Sequence, residues 1–157
     1  MPRILLNTRI HAPLDVCFNL ARSIDLHQES MKHTGEQAVA GTTEGLIELG
    51  ESVTWKARHL GIMMKLTSKI TEFQFPDMFI DEMVNGPFHS MKHRHIFQMS
   101  DGHTLMVDEF EYTSPLGILG KIADSIFLES YMKKLLVQRN HVIKDIAESA
   151  DGGSTIF

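Results

Sequence analysis

The chain has 157 residues, of which 43% are hydrophobic and 22% are charged, as is typical of globular proteins that bury a sizeable core. Its net charge is −5 and it contains no block of lysine or arginine, so nucleic acid is not expected as a partner. No apolar run approaches the roughly 20 residues of a membrane span, and the N-terminal segment lacks the pattern of a signal peptide. The single cysteine, Cys17, excludes an internal disulfide and suits a reducing compartment. We therefore expect a cytoplasmic protein with one domain over residues 1–157.

The N-terminal part of the chain predicts one strand followed by two short helices. Alternating residues predict a strand from Arg3 to His11. Pro13 suits the first turn of a helix and Asp15 suits its positive N-terminal end, so the segment APLDVCFNLAR predicts a short helix. A second short helix is expected from Ile24 to His33, with Ser23 as its N-cap. The glycine-rich segment AGTTEGLIELG then predicts turns between short strands.

The middle of the chain alternates with a period of two residues, which predicts a meander of five antiparallel strands. The first two strands are ESVTWKARH and IMMKLTSKITEF, joined by the hairpin signal Leu60-Gly61. The third, MFIDEMV, lies between the turn segments FPD and NGP. The last two, FHSMKHRHIFQM and TLMVDEFEY, are joined by the turn SDGH.

The C-terminal segment from Ile118 to Ala150 carries apolar residues at helical spacing and predicts one long helix. The preceding segment SPLGILG is either a mobile gate over an apolar opening or an ordinary connection, and residues 151–157 are expected to form a loose tail. The predicted fold class is therefore α+β. A curved antiparallel sheet of six to seven strands wraps around a long C-terminal helix, and two short helices follow the first strand.

This order of elements, together with the segments APLDVCFNLAR, GESVTWKARHLG, DEMVNGPFHSMKHRHIF and YTSPLGILGKIAD, resembles the START-like helix-grip superfamily (SRPBCC). Within it, the chain is similar to small bacterial ligand-binding and polyketide-cyclase/dehydrase-like members. The resemblance covers Arg3 to Ala150. It implies that a hydrophobic small molecule, such as a lipid, polyketide or aromatic metabolite, binds between the sheet and the long helix. It also implies that no cofactor is bound, and it does not specify the ligand, because members share a scaffold and differ in their cavities.

The hairpin turns predict which strand residues lie opposite each other. The turn SDGH places His95 opposite Asp108. A turn centred on the glycine of NGP places Asp81 opposite Met91, diagonal to His93. Strand parity then turns one set of side chains toward the long helix, where they form the wall of the expected cavity.

The residues of this face that we predict to bind a ligand are Trp55, His59, Leu66, Phe79, Asp81, Met83, Met91, His93, Phe97, Met106, Phe110 and Tyr112.

A polar island of His59, Asp81, His93, His95 and Asp108 interrupts this apolar face. A buried carboxylate needs a partner, and Asp108 beside His95 would fix the orientation and tautomer of the ring. The pair either satisfies its own polarity and orients a ligand, or transfers protons as the catalytic pair of an enzyme. No zinc site is expected, because no further ligand motif accompanies the two histidines.

Arg139 lies at the edge of the apolar stripe of the long helix. It either reaches an anionic group of the ligand or extends into solvent and pairs with a surface carboxylate. The rarity of buried arginine favours the second alternative.

Three functions remain as alternatives. The first is binding, transport or sequestration of a hydrophobic small molecule. The second is a cofactor-free enzyme of the cyclase/dehydratase type, in which His95 and Asp108 perform acid–base chemistry. The third is a module that binds another protein through the outer face of the sheet. The sequence predicts no particular oligomeric state.

Overall fold

A computed structural model describes residues 2–114 and 127–149 of the chain. The strands are β1 (Arg3–Ile10), β2 (Gln37–Gly41), β3 (Ser52–His59), β4 (Ile62–Gln74), β5 (Met78–Asn85), β6 (Ser90–Ser100) and β7 (His103–Thr113). The helices are α1 (Leu14–Ala21), α2 (Ile24–Ser30) and α3 (Glu129–Glu148), with a short 3-10 turn at Lys32–Thr34. The strands form one antiparallel sheet of seven strands in the order β1-β7-β6-β5-β4-β3-β2. The predicted fold class is confirmed.

The two short helices begin where the sequence predicts. Pro13 precedes α1, and Asp15 lies in its first turn. Ser23 caps α2, because its side chain accepts a hydrogen bond of 3.2 Å from the backbone N–H of Leu26. The second helix is shorter than predicted: α2 ends at Ser30, and the 3-10 turn follows it.

Two-residue turns fix the register at two hairpins of the sheet. Both residues of Leu60-Gly61 (φ 54° and 78°) and of Asp101-Gly102 (φ 51° and 79°) adopt the left-handed conformation. Such turns match the twist of the strands they join, so they allow little freedom of register. His95 lies opposite Asp108 across the β6–β7 hairpin, as predicted.

The predicted register of the β5–β6 hairpin is wrong by two residues. Asp81 lies opposite His93 rather than opposite Met91. The turn is centred near Pro87 instead of Gly86, and a proline cannot donate a hydrogen bond to the ladder. Because two residues are one full side-chain period, Asp81 still points to the predicted face.

Helix α3 packs against β1, α1 and α2. It lies within the helix predicted from Ile118 to Ala150, but residues 115–126 and 150–157 lie outside the described part of the chain. The predicted beginning of the long helix, the gate segment after Ser114 and the tail therefore also lie outside it. In residues 2–114 and 127–149, no helix has both the length and the apolar character that crossing a membrane requires.

In the described part of the chain, most of the buried apolar side chains fall into two clusters. In the first, the ring of Phe18 from α1 lies 5.2 Å from Phe79 and 5.3 Å from Phe97 of the sheet, measured between ring centroids. In the second, Tyr112 and Leu136 bring β7 and α3 together. The sheet and the helices are thus held by apolar contacts at two separate places.

Gly41 is the position where we expect a side chain to be tolerated least. Its φ is +74°, and a Cβ atom there would lie 2.2 Å from the backbone oxygen of Ser52, whereas Gly35 has φ +68° and open space around it. We expect Gly35→Ala to lower the free energy of unfolding by about 1 kcal/mol and Gly41→Ala by more than about 3 kcal/mol, because only the second adds a backbone clash to the strained conformation. Urea unfolding of both variants measures this difference, and equal losses would contradict it.

Candidate functional site

A cavity of about 400 Å³ lies between the inner face of the sheet and helices α2 and α3. Its size is within the range of small-molecule binding sites. Apolar side chains form most of its wall. Trp55 and Phe79 come from the sheet, Ile24 from α2, and Leu135 and Leu136 from α3.

Most of the residues that the sequence predicts for the site line this cavity. They are Trp55, His59, Leu66, Phe79, Asp81, Met91, His93, His95, Phe110 and Arg139.

The other predicted residues lie away from the wall. They are Met83, Phe97, Met106, Asp108 and Tyr112. Phe97 and Met106 are buried in the first apolar cluster beneath α1, and Met83 and Tyr112 pack in the second. Strand parity predicts the face of the sheet to which a side chain points, but not which part of that face a helix covers.

Asp108 on β7 has no exposed surface, and side chains from two other elements surround its carboxylate. Its Oδ1 lies 2.8 Å from Nε2 of His93 and accepts a 3.3 Å hydrogen bond from Arg139. Its Oδ2 accepts a 2.7 Å hydrogen bond from the side-chain amide of Asn140. The predicted partner His95 is farther away, with Nδ1 3.4 Å from Oδ1. The diagonal neighbour on β6 therefore makes the shorter contact, as cross-strand geometry permits.

The pKa values of Asp108 and His93 show which of the two side chains carries the proton in their hydrogen bond. Burial raises the pKa of Asp108, but the hydrogen bond from His93 and the charge of Arg139 outweigh it and hold the pKa well below 3.8. Burial and the adjacent His95 lower the pKa of His93 from 6.5 to about 4, although Asp108 opposes this. At neutral pH the carboxylate is thus ionised and can only accept. The neutral His93 ring donates its Nε2–H to Asp108.

His95 is held between a carboxylate and a guanidinium. Its Nε2 lies 2.7 Å from Oδ2 of Asp81, and its Nδ1 lies 3.3 Å from Nη2 of Arg139. Since a guanidinium can only donate, Nδ1 carries no proton, and Nε2–H donates to Asp81. Burial raises the pKa of Asp81, but this hydrogen bond reverses the effect and lowers the pKa below 3.8. The ring of Phe79 stacks on His95 with 4.1 Å between centroids and fixes its plane.

Arg139 does not extend into solvent, which was the alternative that the sequence favoured. Only 4% of it is exposed. Its Nη1 donates to Asp108 and Asn140, and its Nη2 donates to His95 and to the backbone oxygen of Ala21. A buried arginine is stable here because its charge has an ionised partner and four of its five N–H donors have acceptors.

These residues form one connected group, which we call the polar cluster: Asp81, His93, His95, Asp108, Arg139 and Asn140.

Within residues 2–114 and 127–149, one group of side chains could hold a metal ion. Asp81, His93 and His95 each offer a ligand atom, and these atoms lie within 4.8 Å of one another. Both histidines, however, already donate to carboxylates, and the guanidinium of Arg139 lies 3.3 Å from His95. A fixed positive charge at that distance opposes the binding of a cation.

A second, more exposed polar group also lines the cavity. Nδ1 of His59 lies 2.7 Å from the hydroxyl of Tyr131, and Nε2 of His27 lies 2.8 Å from Glu36. Burial lowers the pKa of His59 and raises that of Tyr131. Tyr131 was not predicted from the sequence, although its spacing of eight residues from Arg139 fits the broad apolar face of α3, and both residues line the cavity.

The lowered pKa of His93 predicts how stability depends on pH. A proton binds its ring more weakly in the folded protein than in the unfolded chain, so this stabilisation is complete above about pH 6.5 and disappears as the pH falls through about 4. Between pH 7 and pH 4, the free energy of unfolding should decrease by about 3 kcal/mol more in the unmodified protein than in His93→Gln. Glutamine keeps a donor for Asp108 but does not titrate. Urea unfolding at several pH values measures the difference, and parallel curves would contradict it.

The comparisons with known proteins agree with this architecture. A family model described as "Polyketide cyclase / dehydrase and lipid transport" matches residues 10–131. A search of curated proteins found no significant match.

Three solved structures have a similar fold. The Zhui aromatase/cyclase from Streptomyces sp. R1128 has 14% identity and a TM-score of 0.73, covering 97% of this chain and 98% of its own. Protein TTHA0849 from Thermus thermophilus has 17% identity and a TM-score of 0.71, covering 90% and 97%. Major latex-like protein 151 from Panax ginseng has 15% identity and a TM-score of 0.69, covering 94% and 98%.

At these identities the structural likeness shows the fold alone. The family model, however, spans well over half of the sequence, and it confirms the resemblance that the sequence segments indicated. The chain therefore belongs to the polyketide cyclase/dehydrase and lipid transport family, with the helix-grip fold.

Proposed function

We propose that the protein binds a hydrophobic small molecule, such as a lipid, a polyketide or an aromatic metabolite, in the cavity between the sheet and α3. The observation that carries this proposal is the cavity itself, about 400 Å³ in volume and walled mainly by apolar side chains. Protein interiors are close-packed, and voids larger than a water molecule are few. A cavity of this size is unfavourable for stability, so its presence supports a binding role.

The polar cluster supports a defined orientation of the ligand. Asp81, His93, His95 and Arg139 reach the cavity wall, and neighbouring protein groups hold each of them in place. Polar groups that are already ordered lose little conformational entropy when a ligand binds. They can therefore fix the polar end of a ligand whose apolar body contacts Trp55 and Phe79.

Trp55 provides a direct test of binding in this cavity. It is the single tryptophan of the chain and lies on the cavity wall. We expect the neutral probe N-phenyl-1-naphthylamine to bind with a Kd on the order of micromolar and to quench Trp55 fluorescence by energy transfer. Ala57→Leu should weaken binding at least about tenfold, because it fills part of the cavity.

The matched control is Val39→Leu, which enlarges an exposed side chain on β2. Thermal unfolding of both variants checks that they fold. Binding that does not saturate, or that Ala57→Leu leaves unchanged, would count against a ligand-binding cavity.

A second function, acid–base catalysis on a polyketide-like substrate, is favoured by one contact. His95 donates to Asp81 at 2.7 Å, and both side chains line the cavity. Asp108, the partner predicted from the sequence, has no exposed surface. In this alternative His95 and Asp81 exchange protons with the substrate, and Asp108 holds the cluster in place.

An N-acetylcysteamine thioester of a poly-β-ketone would test catalysis. If the protein is an enzyme, cyclised or dehydrated product should form faster than without protein, and His95→Gln should slow product formation by about 100-fold or more. The affinity for N-phenyl-1-naphthylamine should change by less than about threefold, because the apolar wall holds this probe. Liquid chromatography with mass detection measures the product, and Asp77→Asn, on the exposed turn before β5, is the control. Product formation at the uncatalysed rate would leave binding as the function.

A further inference from the structure

The polar cluster carries one negative charge in excess. Asp81 and Asp108 are ionised, and Arg139 provides one positive charge. His95 is neutral because its Nδ1 accepts from Arg139, and His93 is neutral because burial lowers its pKa to about 4. The cluster therefore presents a net charge of −1 to a wall that is mainly apolar.

Arg139 is not available as a receptor for an anionic ligand. Four of its five N–H donors already face acceptors of the protein: Asp108, Asn140, His95 and the backbone of Ala21. A carboxylate binds arginine best through two parallel hydrogen bonds. Such a pair would have to displace at least one of the existing contacts.

Arg22, the other arginine on the wall, is likewise engaged by the protein. It donates to Asn19 at 2.9 Å and to the backbone oxygen of Ile47 at 3.1 Å. Its Nη1 lies 4.0 Å from Glu48, and its guanidinium lies 5.1 Å from the centroid of the Phe73 ring. Both guanidiniums are therefore held by protein groups, although Arg22 keeps N–H donors that these contacts do not use.

Within the polar cluster, apart from the fifth N–H of Arg139, the atoms that can still receive a ligand are acceptors. The side chain of Asp81 is 18% exposed, and one of its oxygens is hydrogen-bonded to His95. A carboxylate can accept several hydrogen bonds, so Asp81 retains capacity for a ligand donor. His93 donates its Nε2–H to Asp108, so its Nδ1 can also only accept.

We infer that the polar end of the cavity selects ligands that present a neutral hydroxyl group, such as a phenol, an enol or an alcohol, and discriminates against ligands that present a carboxylate. This preference rests on the proposed function, because it concerns the ligand of the same cavity. A ligand hydroxyl donates a hydrogen bond to the carboxylate that carries the excess negative charge. Such a charge-assisted hydrogen bond is stronger than one between neutral groups. A ligand carboxylate would add a second negative charge beside the first and leave both without compensation.

Four naphthalene derivatives of similar shape test the preference by displacing N-phenyl-1-naphthylamine at pH 7. We expect 2-naphthol to bind at least about tenfold more tightly than 2-methoxynaphthalene, which accepts but cannot donate. We expect 2-naphthoate to bind about 100-fold more weakly than 2-naphthol. The neutral 2-naphthamide, which is close to naphthoate in shape and has N–H donors, should bind at least about tenfold more tightly than naphthoate.

Asp81→Asn removes the accessible charge and keeps the size of the side chain. In this variant the preference for 2-naphthol over 2-naphthoate should fall to less than about threefold. The control is Asp77→Asn, which removes an exposed charge outside the cavity and should leave this preference unchanged. The comparison of naphthamide with naphthoate needs no variant, so it tests the preference even if Asp81→Asn does not fold.

Naphthoate affinity equal to or higher than that of naphthol or naphthamide would overturn the inference. An unchanged preference in a folded Asp81→Asn variant would overturn the assignment to Asp81. If N-phenyl-1-naphthylamine binds but none of the four derivatives displaces it, the hydroxyl preference fails while the proposed binding function stands. If the probe itself does not bind, the proposed function fails.

Discussion

The buried carboxylate of Asp108 is the constraint around which the rest of the site is arranged. An ionised group in an apolar interior is stable only when charges and donors compensate it. His93 on β6 supplies one donor, and Arg139 and Asn140 on α3 supply the others. The rotation of α3 and its position along the sheet therefore depend on a single strand residue, Asp108. A shift of the helix by one turn would leave Asp108 without its cation.

These contacts give the two carboxylates, Asp108 and Asp81, different roles. Asp108 has no exposed surface and neutralises Arg139, so it serves the fold. Asp81 lines the cavity and is tied to Asp108 only indirectly, through His95 and Arg139. The negative charge that remains unmatched is thus the one that a ligand can reach. The charge at the cavity wall therefore follows from the ion pair between Asp108 and Arg139, which is buried behind that wall.

The sequence predicted most of the fold because the relevant signals are local. Hydrophobic periodicity located all strands of the meander, and the turn at Asp101-Gly102 set the pairing of His95 with Asp108. The β5–β6 register failed because Gly86 and Pro87 lie in a longer connection that no two-residue turn fixes. Asp81 still points to the predicted face, since the shift was one full period of the strand.

By itself, then, the sequence determined the order of the elements, the faces of the strands and the presence of a polar island in an apolar wall, because each depends on neighbours along the chain. The tertiary structure decided which histidine reaches which carboxylate, and that Arg139 is buried rather than solvated. It also brought Tyr131 to His59, 72 residues apart. These contacts depend on where α3 lies over the sheet, and that position is fixed by burial and charge compensation between distant segments, which no local pattern encodes.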